Sequence, residues 1–488
     1  MKKLSLLAAT MLAGCTVGPN YVAPDIAPPA NFAAAQAAIP GAAVDPAHWW
    51  SAFGDPALNA LVVKGLADSP DMAIAASRVR QSRLQEIVAR AQGLPTLNAA
   101  SNVSHVDFSK NAGLSTIAQA FTGGSSGSGN SSGIALPGSG ITTYSVGFDA
   151  SWEIDLFGGV RRGVEGARAR SEAAEWSQRD AGVTLAAEIA DTYFALRLDQ
   201  TQLGVIRDEI VRQQRGLDIA GHIAKVGLVP QIDVTRQRSS ITATQARLEP
   251  IHADMDVRIH ALGILTGQPP EALLVDLRAP AAALAPAPAV PAGLPSELLR
   301  RRPDVRAAER RLAGATADIG VAVSDLYPKF SLTGMAQLIS TGLGNLFTAN
   351  SAQLTGSGAV NFPILDWGRR KATIASRKED REQAYQSYRS TVLGALRDVE
   401  DALVRIDTEE RRNVALKRGL DDAEATAHSV ESQYRTGLVA QNALLDAQGS
   451  ALQAREQLAG SDAQLRQQTA ALFKALGGGW DAGAGPIR

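Results

Sequence analysis

The sequence predicts a mainly α protein with a small β part, in which one unit of strand pair and long helical hairpin is built twice. Three observations carry this reading. First, Trp152-Glu-Ile-Asp-Leu-Phe-Gly158 returns as Phe362-Pro-Ile-Leu-Asp-Trp-Gly368, and Lys225-Val-Gly-Leu-Val229 returns as Arg435-Thr-Gly-Leu-Val439. Gly227 and Gly437 are 210 positions apart. Second, apolar residues keep a seven-residue step at the same offset. Ile189, Leu196, Leu203, Ile210, Leu217 and Ala224 answer to Val399, Ile406, Asn413, Leu420, Ala427 and Tyr434. Beyond each glycine a second seam runs through Val234, Ile241, Leu248, Met255 and Leu262, and through Leu444, Ala451, Leu458, Leu465 and Leu472. A strict heptad stays on one side of a helix only if helices supercoil left-handedly. Third, a period of two replaces the helical period just before each long helix.

Taken in order, the chain starts with Lys2 and Lys3, then the short apolar run Leu4 to Leu12, which reads as a signal peptide over 1–14. Leu12-Ala13-Gly14-Cys15 looks like a bacterial lipobox, with Cys15 the acylated first residue of the mature chain. Acyl chains gain about 0.8 kcal/mol per buried methylene, so a multiply acylated cysteine is a stable anchor. Thr16 stands where an aspartate resembles an inner-membrane retention signal, and this points to the outer membrane. A Pro/Ala-rich arm completes 15–54. Asp55 caps a helix with Pro56 at its first position, and Ser69-Pro70 repeats the device for a helix reaching Gly93-Leu-Pro95.

Strands follow. Leu97, Ala99, Ser101 and Val103 share one face, as do Tyr144, Val146, Phe148, Ala150 and Trp152. In the second copy Phe330, Leu332, Gly334, Ala336 and Leu338, then Leu354, Gly356, Gly358, Val360 and Phe362, do the same. The Gly/Ser/Asn stretch from Gly123 to Gly133 reads as a mobile external loop, with Thr341 to Asn350 its shorter counterpart. The rising helix from Gly159 to Ala224 has about 66 residues, or ~100 Å at 1.5 Å per residue. Pro250 interrupts the first returning helix. The organisation is therefore a first repeat over 55–275, a Pro/Ala linker over 276–295, a second repeat over 296–477 and a disordered tail over 478–488.

Strands of about ten residues cross a bilayer when tilted, and apolar residues alternating with small polar ones are the signature of an outer-membrane barrel. A soluble antiparallel sheet with one wet face is the competing reading. Four strands cannot close a barrel, and lipid does not tolerate open edges. If the strands span, three copies sharing one barrel give twelve.

Composition excludes more than it identifies. Lys+Arg is 48 and Asp+Glu 49, so nothing favours nucleic acid. Hydrophobic residues make up 45 % of the chain, yet no apolar run after the N-terminus is long enough for a transmembrane helix. The single cysteine excludes an intrachain disulfide. The Gly123, Ser125, Gly127 match to a nucleophile elbow lies in low-complexity sequence without strand–turn–helix context. His48, His105, His222, His252, His260 and His428 form no pair at metal-ligand spacing. Neither catalysis nor a metal or other cofactor is expected.

The lipobox, Trp50-Ser-Ala-Phe-Gly-Asp-Pro56, Trp152-Glu-Ile-Asp-Leu-Phe-Gly158, Arg301-Arg-Pro-Asp-Val305, Tyr327-Pro-Lys-Phe330 and the two Gly-Leu turns occur together. In that order they resemble the outer membrane efflux lipoproteins of the TolC/OprM-like, NodT-type family. The resemblance implies a homotrimer with a shared twelve-stranded barrel in outer membrane lipid and a twelve-helix periplasmic tunnel. It also implies a periplasmic adaptor (membrane fusion) protein and an inner-membrane RND-type pump as partners. Carried over by position, Val226-Gly227-Leu228 and Thr436-Gly437-Leu438 are the tips that meet the adaptor. Asp446 matches an acidic constriction residue. Asp233 and Tyr434 match a pair linking neighbouring hairpins. The family's other constriction aspartate falls at Ala443, a departure that leaves one acidic ring. The function implied is a passive exit duct for drugs or other small solutes. A structural coiled-coil outer-membrane lipoprotein explains the heptads and Cys15 but not the strands, and an exit duct for secreted protein keeps the channel with another cargo.

Overall fold

The computed structural model describes residues 16–24, 45–107, 141–227, 230–279, 284–288 and 301–480. The signal peptide, Cys15, the loop at 123–133, Leu228, most of the linker and the tail from 481 lie outside them. Chain order is α1 (Pro56–Asp68), α2 (Pro70–Ala91), β1 (Thr96–Val106), β2 (Ile141–Ile154), α3 (Gly159–Lys225), α4 (Gln231–Ala246), α5 (Leu248–Leu265), α6 (Leu274–Arg278), α7 (Pro303–Ser324), β3 (Lys329–Ser340), β4 (Ala352–Asn361), α8 (Arg369–Arg435) and α9 (Gln441–Ala475). The two long rising helices, α3 and α8, have 67 residues each. The described residues divide into two compact units. One lies within Met1–Val22, Leu84–Arg168 and Ala313–Glu382, the other within Ala23–Arg83, Ala169–Leu312 and Gln383–Arg488.

The first unit holds the sheet, antiparallel in the order β1-β2-β3-β4. Thr96 pairs with Ser151 and Val106 with Ile141 across β1 and β2; Ile154 pairs with Phe330 across β2 and β3; Lys329 pairs with Asn361 across β3 and β4. The segment after Cys15 is seated here. Val17 N donates to the Phe157 carbonyl at 3.2 Å. The buried Arg162 donates from Nε to the Val17 carbonyl at 3.2 Å and from Nη2 to Asn20 Oδ1 at 2.7 Å. Gly158 makes room for this segment: its φ is +80°, and a Cβ there would lie 2.9 Å from Thr16 Cα.

The second unit holds the main core. Trp49 stacks on Phe473 with centroids 5.5 Å apart, and Phe53 meets Phe194 at 4.8 Å. Asp55 caps α1 as the sequence predicts, accepting from Ala57 N at 2.9 Å and Leu58 N at 3.3 Å. Its second oxygen accepts the Tyr193 hydroxyl at 2.7 Å, tying α1 to α3. Burial, then that carboxylate, pushes the Tyr193 hydroxyl pKa upward, so it remains a donor at any physiological pH. The Arg301-Arg-Pro-Asp motif gains a physical role. Arg302 grips Asp304 at 3.0 and 2.8 Å and donates to the Ala475 carbonyl at 2.6 Å, at the end of α9. That end closes on Gly477, at φ +71°, with Gly478 N donating to Phe473 O at 2.9 Å.

The returning helix of the first copy breaks at Arg247, three residues before Pro250. Pro250 lacks the N–H that would bond the Ala246 carbonyl, and its ring crowds that carbonyl. The helix therefore ends at Ala246 and restarts at Leu248, with Pro250 inside the first turn where no donor is needed.

Candidate functional site

In the sheet, register decides chemistry. The pairs Ala99–Phe148, Phe148–Ala336 and Ala336–Leu354 put every apolar set predicted from the sequence on the same face. That face is uncovered: Leu354 is 85 % exposed and Leu97 70 %. The other face is joined by polar contacts between strands. Asn98 Nδ2 donates to Asp149 Oδ2 at 2.9 Å, Gln337 Nε2 to Gln353 Oε1 at 2.9 Å, and the Thr96 and Ser151 hydroxyls lie 2.8 Å apart. β1 and β4 each have one unpaired edge. An apolar outer face, a polar inner face and two open edges fit one strip of a barrel completed by other strands. No helix among the described residues is long and apolar enough to cross a membrane.

In the second unit, the hairpin tips turn on Gly227 at φ +77° and Gly437 at φ +75°. Their amides donate to Ala224 O and Tyr434 O, each at 3.0 Å, and Leu438 N donates to Gln433 O at 3.0 Å. This is the left-handed C-terminal turn that glycine adopts without strain. Val226 and Leu438 project into solvent, 69 % and 77 % exposed. Thr436 Oγ1 turns back to the Gln433 carbonyl at 3.0 Å. Leu228 lies outside the described residues.

The other sequence-predicted residues separate. Asp446 is exposed on α9. Tyr434 is buried on α8, and its hydroxyl has no hydrogen-bond partner among the described residues. Burial, then the nearby Asp233 carboxylate, raises its pKa. Asp233 itself holds Arg236 at 3.4 Å on the same helix face. The hydrogen bond expected between Tyr434 and Asp233 is thus absent within this chain. Residues three apart on a helix face one another, and Arg236 is the cation beside this carboxylate within the chain.

Sequence reasoning missed a buried amide relay near the tips. Gln441 Nε2 on α9 donates to Gln237 Oε1 on α4 at 3.1 Å, and Gln237 Nε2 donates to the Gln213 carbonyl on α3 at 3.0 Å. The relay links the second hairpin to the first. Arg247, at the helix break, makes a second link through Glu456. The available signal was Gln237 itself, three residues after Val234, a polar side chain at a seam position.

The model of the family described as outer membrane efflux protein matches residues 61–268 and 294–478, one block in each copy. The chain belongs to the outer membrane efflux protein family. It is 30 % identical over 485 residues to the pyoverdine export outer membrane protein OpmQ of Pseudomonas putida, covering 98 % of this chain and 96 % of that one. Among solved structures, the outer-membrane channel OprN is 31 % identical with a TM-score of 0.84, over 96 % of this chain and 100 % of that one. The open state of the Neisseria gonorrhoeae MtrE outer membrane channel is 25 % identical with a TM-score of 0.80, over 96 % and 99 %. This family member is an outer membrane efflux channel that extends into the periplasm. Proteins of this family are channels rather than enzymes. They are trimers working with an adaptor and an inner-membrane pump.

Proposed function

We propose that this chain is the exit duct of a tripartite, proton-driven RND-type pump, conducting small solutes passively to the outside. The observation that carries the reading is the two-faced sheet with open edges at β1 and β4. Three copies close it into twelve strands, with the apolar face in lipid and the polar face around the lumen. The curated relatives argue that cargo is chosen elsewhere in the pump. At 27–30 % identity, their names assign pyoverdine export, antibiotic efflux, toluene efflux and cation efflux to proteins of nearly the same length. Purified protein in planar bilayers is expected to give discrete conductance steps and a trimeric native mass. A protein that inserts but never conducts would overturn the duct.

Two details of the duct follow. Asp446 is exposed on α9, and three copies around one axis bring three carboxylates together. Like charges so placed repel one another and attract cations. Asp446→Ala is expected to lower the cation-over-anion permeability ratio, read from reversal potentials in a salt gradient. An unchanged ratio removes Asp446 from the constriction. Lipid attachment is the second detail. Val17 and Asn20 are held by Arg162 at the start of α3, and Val17 lies two residues beyond the lipobox cysteine. Mass spectrometry of the mature protein is expected to find a triacylated Cys15 as the first residue. Cleavage at another bond, or a free thiol, would exclude the anchor.

A further inference from the structure

The duplication carries its own template for what covers one bare surface. In the first copy, the turn between β2 and α3 is packed. Phe157 stacks on Tyr327 with centroids 4.6 Å and planes 21° apart. Tyr327-Pro328 leads into β3, the strand beside β2, whose start faces the end of β2 through the pair Ile154–Phe330.

The second copy repeats the turn 210 residues on, between β4 and α8. Gly158 and Gly368 share a positive φ, +80° and +86°, and Trp367 stands where Phe157 stands. Nothing covers it. Trp367 is 91 % exposed and Ile364 89 %. Trp367 is also the one non-glycine residue with positive φ among the described residues, at +54°. A strained, exposed tryptophan is an expensive feature unless a contact compensates it. Among the described residues β4 has no neighbour on its outer side, and the other unpaired edge is β1. The junction entering β1 is Leu94-Pro95, the same residue-proline-strand pattern as Tyr327-Pro328, and Leu94 is 62 % exposed.

We infer that Trp367 is the seat for Leu94 of a second copy of this chain, the counterpart of Tyr327 on Phe157. The inference rests on the reading of the chain as one strip of a shared barrel, and it names the contact that closes the ring. Strand direction supports it. Because β1 to β4 alternate, a β1 added beside β4 runs antiparallel to it. Its first residues then lie against the end of β4, which brings its Leu94 beside Trp367. Tryptophan is enriched among residues that dominate interfaces. A membrane-interface tryptophan is the rival occupant. It does not account for the matching Phe157–Tyr327 stack or for the bare aliphatic neighbours of Trp367.

The test uses the full-length protein in the outer membrane. Leu94→Cys and Trp367→Cys are combined and treated with a short bismaleimide. Covalent species up to the trimer are expected from the double variant and from neither single one. Trp367→Ala should lower the temperature at which the trimer dissociates in detergent, and Trp367→Phe should restore most of the loss. Absence of interchain product from a double variant that native mass shows to be trimeric overturns the contact while leaving the oligomer standing. Quenching of the Trp367 emission by brominated lipid also overturns it, in favour of the membrane. A monomeric wild type overturns the shared barrel and this contact together.

Discussion

Valine at both Gly227 and Gly437 is expected to abolish efflux while the protein still reaches the outer membrane as an assembled trimer. The turns sit at φ +77° and +75°, where an L residue costs roughly 1–2 kcal/mol and a β-branched one more. Among the described residues a Cβ at either glycine meets no heavy atom within 4 Å, so the cost of the substitution is chiefly backbone strain. The strain is local to the C-terminal turn of two helices of 67 residues each, whose heptad seams are untouched. Folding survives such a cost. If the tips meet the adaptor, as the family resemblance implies, docking does not, because the added bulk occupies the space beside the exposed Val226 and Leu438 that the adaptor would enter. Alanine should be intermediate, with the backbone strain but little bulk. The measurements are drug susceptibility of a channel-deleted strain carrying each variant, site-specific crosslinking to the adaptor, and trimer content of the outer membrane. Normal crosslinking in the valine variant would show that the tips do not meet the adaptor. Loss of trimer would place the effect in the fold instead.

Much of this architecture was legible because its signals are local and occur twice. The 210-residue offset located both tips and both turn glycines, alternation with a period of two located the four strands, and the structure differs from the predicted first long helix by a single residue at its end. Asp55-Pro56 and Ser69-Pro70 began helices where capping chemistry says they should. Pro250 gave the existence of a break, and the missing donor four residues downstream of Ala246 gives its place. What stayed hidden depends on partners far away in sequence. Arg162 seats residues near 18, Arg302 reaches the end of α9, and Gln441 meets Gln237 across 204 positions. No spacing rule predicts those pairs, because each helix presents several polar residues per turn and packing selects one. The Tyr434–Asp233 pair was carried over by position alone; within one chain Arg236, three residues from Asp233, stands 3.4 Å from that carboxylate.

Tyr434→Phe, alone and with Asp233→Ala, is expected to raise resting conductance in planar bilayers by about tenfold or more. Within one chain the Tyr434 hydroxyl is buried without a partner among the described residues. Leaving such a group unsatisfied costs roughly 1–3 kcal/mol, and native proteins rarely tolerate it. Its raised pKa, from burial and then from Asp233, keeps it protonated and therefore a donor at physiological pH. The nearby acceptor is weakly engaged, since Arg236 holds Asp233 at 3.4 Å, beyond the usual range for a hydrogen bond. If the closed trimer brings the hydroxyl to that carboxylate, both groups are satisfied. A charge-assisted bond of that kind is worth about 1.5–3 kcal/mol net, and 1.4 kcal/mol is tenfold in an equilibrium. Three chains that open together multiply the effect, yet each bond is weak enough for adaptor binding to overcome. The direction of the change separates the possibilities. If the hydroxyl stays orphaned in the trimer, deleting it removes a penalty, tightens the packing between hairpins, and leaves resting conductance equal or lower. Only a hydroxyl that holds the tip shut gives a leak when it is lost.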